Sequence, residues 1–234
     1  MKTKLIIPTL AIASCISLFS CKNNEENKSE MKTPVENKDS KAEETVNVED
    51  AKTKTIANLQ AAFKGESNAT ARYAAFSKKA AEEGHNEIAM IFKAASNSEK
   101  IHAANHKAVM DEMGVVVEPV VLDVTVKTTK ENLQEAIKGE SYEVAEMYPS
   151  FLKIANDADN QLALVSFNYA YKTEKKHKAF YEKALAALES NTDKTLPTTY
   201  FICPTCGNTY ETTAPKRCGI SMTSGEKFIK INSL

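Results

Sequence analysis

Asn58-Leu-Gln-Ala-Ala-Phe-Lys-Gly-Glu-Ser67 and Asn132-Leu-Gln-Glu-Ala-Ile-Lys-Gly-Glu-Ser141 are one segment written twice, identical at eight of ten positions and offset by 74 residues. The match resumes downstream, where Glu99-x-x-His102 returns as Glu174-x-x-His177 at an offset of 75. The core is therefore two copies of one helical hairpin. Apolar residues at three- and four-residue steps define its helices. They are Leu59, Phe63, Tyr73 and Ala80 in the first helix and Ile88, Phe92, Ala95, Val109 and Met113 in the second. The third carries Leu133, Ile137, Met147, Phe151 and Ile154, and the fourth Phe167, Tyr171, Tyr181, Leu185 and Leu188. Gly84 and Gly114 stand where helices stop, and residues 115–126, with Pro119, are long enough to cross between hairpins. The predicted architecture is an all-α antiparallel four-helix bundle with helices of about 25–30 residues.

Each stripe carries a glutamate where packing alone would place leucine: Glu66, Glu99, Glu140 and Glu174. A buried, unpaired carboxylate is expensive even after relaxation, and four at one depth would unfold a small bundle unless cations neutralised them. Two single glutamates plus two Glu-x-x-His pairs, whose i and i+3 members share a helix face, are the ligand set of a carboxylate-bridged di-iron or di-manganese centre. One such pair alone would be an ordinary surface accident in a chain with 26% charged residues. The ordered coincidence of two pairs and two Gly-Glu elements is what carries the metal reading. Gly65 and Gly139, directly before ligand glutamates inside helices, are expected to admit a close neighbouring helix. His85 and His106 are read as polar surface or as contacts behind the ligands.

The chain has 234 residues, 42% hydrophobic, with a net charge of -1 and five cysteines. That leaves room for one mid-sized domain and something small, and excludes a disulfide-dense mini-protein or a wholly disordered chain. The near-zero charge argues against nucleic-acid binding, which needs a basic surface. Lys2 and Lys4 precede an apolar run from Leu5 to Phe19, short for a membrane span but right for a secretory leader. The run ends in Leu18-Phe19-Ser20-Cys21, which resembles a bacterial lipobox, so residues 1–20 are expected to be a signal peptide and Cys21 the lipidated residue. Cys15 also fits the pattern, but cleavage there would leave Ile16 to Phe19 exposed. Residues 22–50 contain five lysines and nine acidic residues in 29 positions, and residues 21–50 are expected to form a disordered tether. The folded part would then be exported and held at a membrane of the bacterial envelope, periplasmic or outer. The bundle is assigned to residues 51–190.

Beyond a linker at residues 191–199, residues 200–234 open with Cys203-Pro-Thr-Cys206-Gly207, which aims two thiolates at one ion. This resembles the first knuckle of a rubredoxin-like domain of strands and loops. The second knuckle reads Cys218-Gly-Ile-Ser221, with serine at the fourth ligand position and Met222, a soft but weak alternative, beside it. Three readings stand: iron on three thiolates with Ser221 or water, zinc as a structural knot, or a metal-free disulfide-bonded segment.

Taken together, residues 51–234 resemble the rubrerythrins, ferritin-like bundles with a rubredoxin-like segment. The residues carrying the resemblance are Gly65-Glu66-Ser67, Glu99-x-x-His102, Gly139-Glu140-Ser141-Tyr142-Glu143 with Met147-Tyr148-Pro149, and Glu174-x-x-His177. The resemblance implies two iron ions, with Glu99 and Glu174 bridging, Glu66 terminal on one, and Glu140 with His177 on the other. It also implies that the first iron exchanges Glu143 for His102 as the centre is reduced, which makes these two the catalytic residues. Tyr73 and Tyr148 match tyrosines that back the ligands, with core packing an equal reading of them.

The activity implied is reduction of hydrogen peroxide to water by a homodimer, each site facing the partner subunit's C-terminal centre, with an electron donor the sequence does not identify. The alternative is a ferroxidase that oxidises and sequesters Fe(II) without sustained turnover.

Overall fold

The computed structural model describes residues 47–234. The leader, Cys15, Cys21 and nearly all of the expected tether lie outside these residues. Only the tether's end is corrected: α1 spans Val48–Glu82, three residues earlier than the bundle was expected to begin. The cause is local, because the Asn47 side chain accepts hydrogen bonds from the amides of Glu49 and Asp50, and both acids favour the positive end of the helix dipole.

α2 spans Asn86–Glu112, and the two helices are joined at Gly84, whose φ of 85° a residue with a side chain rarely adopts. Residues 115–127 cross over without regular structure. α3, Thr129–Tyr142, begins in a capping box between Thr128 and Glu131. The third helix of the bundle is not continuous, as its sequence pattern suggested. A π-turn over Glu143–Met147 separates α3 from α4, Tyr148–Asp157. Pro149, in the first turn of α4, has no N–H to return to the preceding turn, and the wider turn absorbs the misfit. The repeat itself marks the place: Glu66 and Glu140 are 74 residues apart, whereas Tyr73 and Tyr148 are 75 apart, so the second copy holds one extra residue between Glu140 and Tyr148. α5, Gln161–Glu189, starts at an Asn160 cap and completes the bundle.

Two apolar clusters fill it. One gathers Tyr73, Phe76, Phe92, Leu133 and Tyr181; the other gathers Leu59, Met110, Tyr148 and Phe167. Along every helix the ligand-type glutamates fall between the two clusters, so the polar layer is closed above and below by aromatic rings. Strands β1 (Tyr200–Ile202), β2 (Thr209–Glu211) and β3 (Ile229–Ile231) form a small antiparallel sheet in the order β2-β1-β3. Tyr200, Ile202 and Ile231 belong to the first cluster, so the C-terminal segment packs on the bundle through a shared core. Among the described residues no helix is long and apolar enough to cross a membrane.

The expectation for Gly65 and Gly139 is overturned. A Cβ built at either position meets no described atom within 4 Å, so no neighbouring backbone takes advantage of the missing side chain. Glycine at these sites only leaves the helix more flexible. Gly65→Ala and Gly139→Ala should each raise stability by about 0.5–1 kcal/mol, measured as a higher midpoint in denaturant with unchanged metal content.

Candidate metal centre

Two groups of donors meet in the polar layer. Glu66, Glu99, His102 and Glu174 present ligand atoms within 4.8 Å of one another, and so do Glu99, Glu140, Glu174 and His177. Glu99 and Glu174 belong to both, the arrangement of two bridging carboxylates between two cations. All six residues are buried. His102 Nδ1 lies 2.9 Å from Glu99 and 2.8 Å from Glu174, and His177 Nδ1 lies 2.9 and 2.7 Å from the same two. Yet neither nitrogen, nor any oxygen of Glu99 or Glu174, makes a hydrogen bond of acceptable geometry. Close atoms that do not point at each other are aimed at a common centre between them. The donor set therefore fits a pair of divalent ions, with hard carboxylate and borderline imidazole ligands.

The outer nitrogens decide which inner atoms a metal ion meets. His102 Nε2 donates to the carbonyl of Cys206 at 3.1 Å, so when the ring gives up a proton to an ion it is Nδ1 that becomes the lone pair facing inward. Thr209 Oγ1 donates to the carbonyl of Gly207 at 3.2 Å, so its oxygen accepts from His177 Nε2 at 3.0 Å and fixes the same tautomer. Both partners come from the C-terminal segment. Ser98 Oγ donates to the Gly207 carbonyl at 2.7 Å and Asn105 Nδ2 to that of Thr205 at 2.9 Å, which pins the first cysteine knuckle over His102. Gly207 has a φ of 77°, and a Cβ there would come within 2.3 Å of His102 Nε2. The resemblance assigned this place to a partner subunit's C-terminal centre, whereas here the chain's own knuckle occupies it.

Tyrosines seat the terminal carboxylates in a crossed pattern. Tyr73, in the first repeat, donates to Glu140 Oε1 of the second at 2.7 Å, and Tyr148, in the second, donates to Glu66 Oε1 of the first. Glu143 is outside both donor groups. It is half-buried at the start of the π-turn, near enough for its charge to act on Glu66. His106 is not surface: it is fully buried, with Nε2 3.2 Å from Tyr148 Oη and Nδ1 2.8 Å from Ser166 Oγ. His85 lies away from the centre and pairs with Asp193 at 2.8 Å. Sequence reasoning missed Ser98, Asn105, Ser166 and Thr209. No local pattern distinguishes them, although His106 falls on the buried stripe of α2.

At the C-terminus Cys203, Cys206 and Cys218 are buried, free and within 4.8 Å of one another. Met222 is not a donor to them, being 61% exposed.

The family model described as Rubrerythrin matches residues 57–185. Rubrerythrin-2 of Clostridium acetobutylicum is 34% identical over 172 residues, 73% of this chain and 92% of the relative. Nigerythrin of Nitratidesulfovibrio vulgaris is 32% identical over 185 residues, 77% of this chain and 90% of the relative. Among solved structures, nigerythrin in a partially reduced state matches with a TM-score of 0.68 at 31% identity, covering 75% of this chain and 86% of that one.

The charges of the metal-free centre follow from its burial. Glu66, Glu140 and Glu143 are held well above the usual carboxylate range, first by burial and then by neighbouring carboxylates, Glu174 and Glu99 among them. Burial pulls both imidazoles down, but Glu174 and Glu99 outweigh it, holding His102 well above its ordinary value and His177 at about 9. Burial raises Glu174, but the two imidazoles bring it down to about 2. Each raised group contributes stability at low pH that is lost as pH climbs through its folded value. His106, pushed down to about 3 by burial, opposes this trend only below its ordinary 6.5. Metal-free protein should therefore lose thermal stability as pH rises from about 6.5 to about 9. Adding Fe(II) or Mn(II) should reverse the slope, because metal ions displace those protons; scanning calorimetry across this range checks both.

Proposed function

The chain belongs to the rubrerythrin family, whose members are di-iron oxidoreductases, and from that premise we propose that it reduces hydrogen peroxide to water in oxidative-stress defence. The observation that carries this reading is the pair of donor groups sharing Glu99 and Glu174 in a layer closed by aromatic side chains. Glu66 and His102 would complete the ligands of one iron, and Glu140 and His177 those of the other. Glu143, on the π-turn beside the first group, is the carboxylate placed to substitute for His102. When bound, the iron pair supplies two electrons and Lewis acidity for cleaving an O–O bond.

Cleaving hydrogen peroxide to two waters also takes two protons, and the chain holds a route for them. Tyr148 donates its hydroxyl hydrogen to Glu66, so its oxygen accepts the hydrogen on His106 Nε2; His106 Nδ1, left bare, accepts from Ser166. Every bond in this row has one direction, and burial keeps the His106 ring neutral. A proton entering at Ser166 reaches the Glu66 carboxylate by successive hops. Burial raises the proton affinity of Glu66, as it does that of Glu140, and Glu66 is the one of the two at the end of this row, where it can hold a proton and deliver it.

Re-reduction is assigned to the C-terminal cysteine cluster, whose Cys206 carbonyl touches His102. The donor that supplies the cluster is unidentified. Homodimer formation is supported by the apolar edge of the crossover, where Val121 and Leu122 are 83% and 56% exposed. Lipid attachment at Cys21 and an envelope location are supported by the leader ending in Leu18-Phe19-Ser20-Cys21.

Steady-state peroxide consumption by the iron-loaded chain, supplied with a chemical reductant, tests the reading: many turnovers per site are expected. A single turnover per site alongside continuing Fe(II) oxidation would assign the ferroxidase reading instead. For the proton row, His106→Phe should leave iron content unchanged and slow the peroxide reaction by about 10- to 100-fold, the usual cost of losing an outer partner of a metal site. Stopped-flow mixing of reduced protein with peroxide measures it.

A further inference from the structure

The C-terminal segment contains two turns of the same construction. In the first, Cys203 N bonds to the carbonyl of Asn208 at 3.0 Å and Gly207 N to that of Cys203 at 2.9 Å. In the second, Cys218 N bonds to the carbonyl of Thr223 at 2.8 Å and Met222 N to that of Cys218 at 3.1 Å. The backbone after the last donor is left-handed in both, with φ of 77° at Gly207 and 61° at Met222. A methionine held in that region is strained, and the turn retains it all the same. Met222 points to solvent, and Ser221 stands in the second turn where Cys206 stands in the first.

The hydroxyl is aimed by its neighbours. Ser221 Oγ lies 3.2 Å from Cys203 Sγ and 2.8 Å from Thr223 Oγ1. Thr223 donates its own hydrogen to Thr205 Oγ1 at 2.8 Å, so the hydrogen between Ser221 and Thr223 is the one on Ser221. A lone pair of Ser221 then faces Cys203 Sγ, and in the metal-free chain the hydrogen between them is the thiol's. Metal ligation requires the cysteines as thiolates, which removes that hydrogen and leaves three sulfurs gathered together with the Ser221 oxygen beside them, a set that a cation among them reconciles. Cys206 and Cys218 sulfurs, 3.4 Å apart, are well beyond the roughly 2.05 Å of a disulfide and nearer the roughly 3.8 Å edge of a thiolate tetrahedron.

We propose that Ser221 is the fourth ligand of an iron site made with Cys203, Cys206 and Cys218, a site of three sulfurs and one oxygen. On ligation Ser221 releases its hydroxyl proton to solvent, as the cysteines release theirs; the resulting alkoxide is a harder donor than thiolate at the same charge and favours the ferric ion, so the site has a lower reduction potential than a four-cysteine version of itself. Its ligation does not depend on the peroxidase reading. If the bundle proved to be a ferroxidase, Ser221 would still complete this site.

The full chain, loaded with Fe(II) under anaerobic conditions, is compared with Ser221→Cys and Ser221→Ala. Three readouts are taken: iron per chain, the thiolate-to-iron absorption of the oxidised form, and a redox titration of that band, to which the carboxylate-histidine centre contributes nothing. The natural chain should hold a third iron beyond the bundle pair. Ser221→Cys should keep it with a shifted band and a higher potential. Ser221→Ala should bind it more than about 10- to 100-fold more weakly, beyond the loss of an outer-shell partner, with the bundle iron unchanged. Retention of the third iron in Ser221→Ala with the same band and potential would overturn the assignment. So would an unaltered potential in Ser221→Cys, a third iron that appears only in Ser221→Cys, or zinc in place of iron in the natural chain.

Discussion

Everything in this molecule answers to one constraint: carboxylates and imidazoles that lie within contact distance of one another yet share no well-formed hydrogen bond. Left alone, such a layer is a defect, since buried charges without partners cost more than a bundle of this size can spare. The protein keeps it by closing it between two aromatic clusters and by engaging each ligand from behind. Tyr73 and Tyr148 hold the terminal carboxylates, and the Cys206 carbonyl and Thr209 hydroxyl hold the imidazoles. What is left unsatisfied is the set of lone pairs that face inward. The specificity of the site lies in that remainder.

The two halves of the bundle supply this layer almost symmetrically, and the departures from symmetry are informative. The crossed tyrosines are related by the repeat, since each reaches from its own half to the glutamate of the other. The single extra residue in the second half breaks the relation. It opens a π-turn after Glu140 that starts at Glu143, whose charge acts on both Glu66 and Glu140, whereas the residue three after Glu66 in the first repeat is Ala69. Insertions that leave a helix intact but locally wide occur often at functional sites. Here the width comes with a carboxylate, Glu143, that has no counterpart in the first repeat.

Much of this was legible in the residues. The repeat and its apolar stripes disclose four helices, and glutamates at leucine positions disclose the layer, because periodicity reports burial and burial makes a carboxylate anomalous. The shift of the repeat offset from 74 to 75 even contains the π-turn, although helical periodicity alone does not reveal it. Gly65 and Gly139 were misread because a helical glycine looks the same whether a neighbour approaches it or open space lies beside it. His106 was undervalued for the opposite reason. Its position on the α2 stripe indicated burial, but its partners Tyr148 and Ser166 lie 42 and 60 residues away. The docking of the C-terminal segment was illegible on the same ground, since Ser98 and Asn105 meet Gly207 and Thr205 across 100 residues or more.

That docking makes His102 common to two sites. Its inner nitrogen belongs to the carboxylate layer, while its outer nitrogen is fixed by the carbonyl of a residue whose sulfur belongs to the cysteine cluster. A neutral imidazole carries one hydrogen, so the bond to Cys206 decides which nitrogen is free to bind metal. The fit tolerates no extra atom, since the turn at Gly207 brings backbone against the ring where a Cβ would collide. The bundle supplies the glutamates, while the knuckle and Thr209 supply the bonds that set the tautomer of both histidines. The cysteine cluster is thus joined to the carboxylate centre by position and also by hydrogen bonding, and a change in the turn that carries Cys206 alters the bundle's own donors.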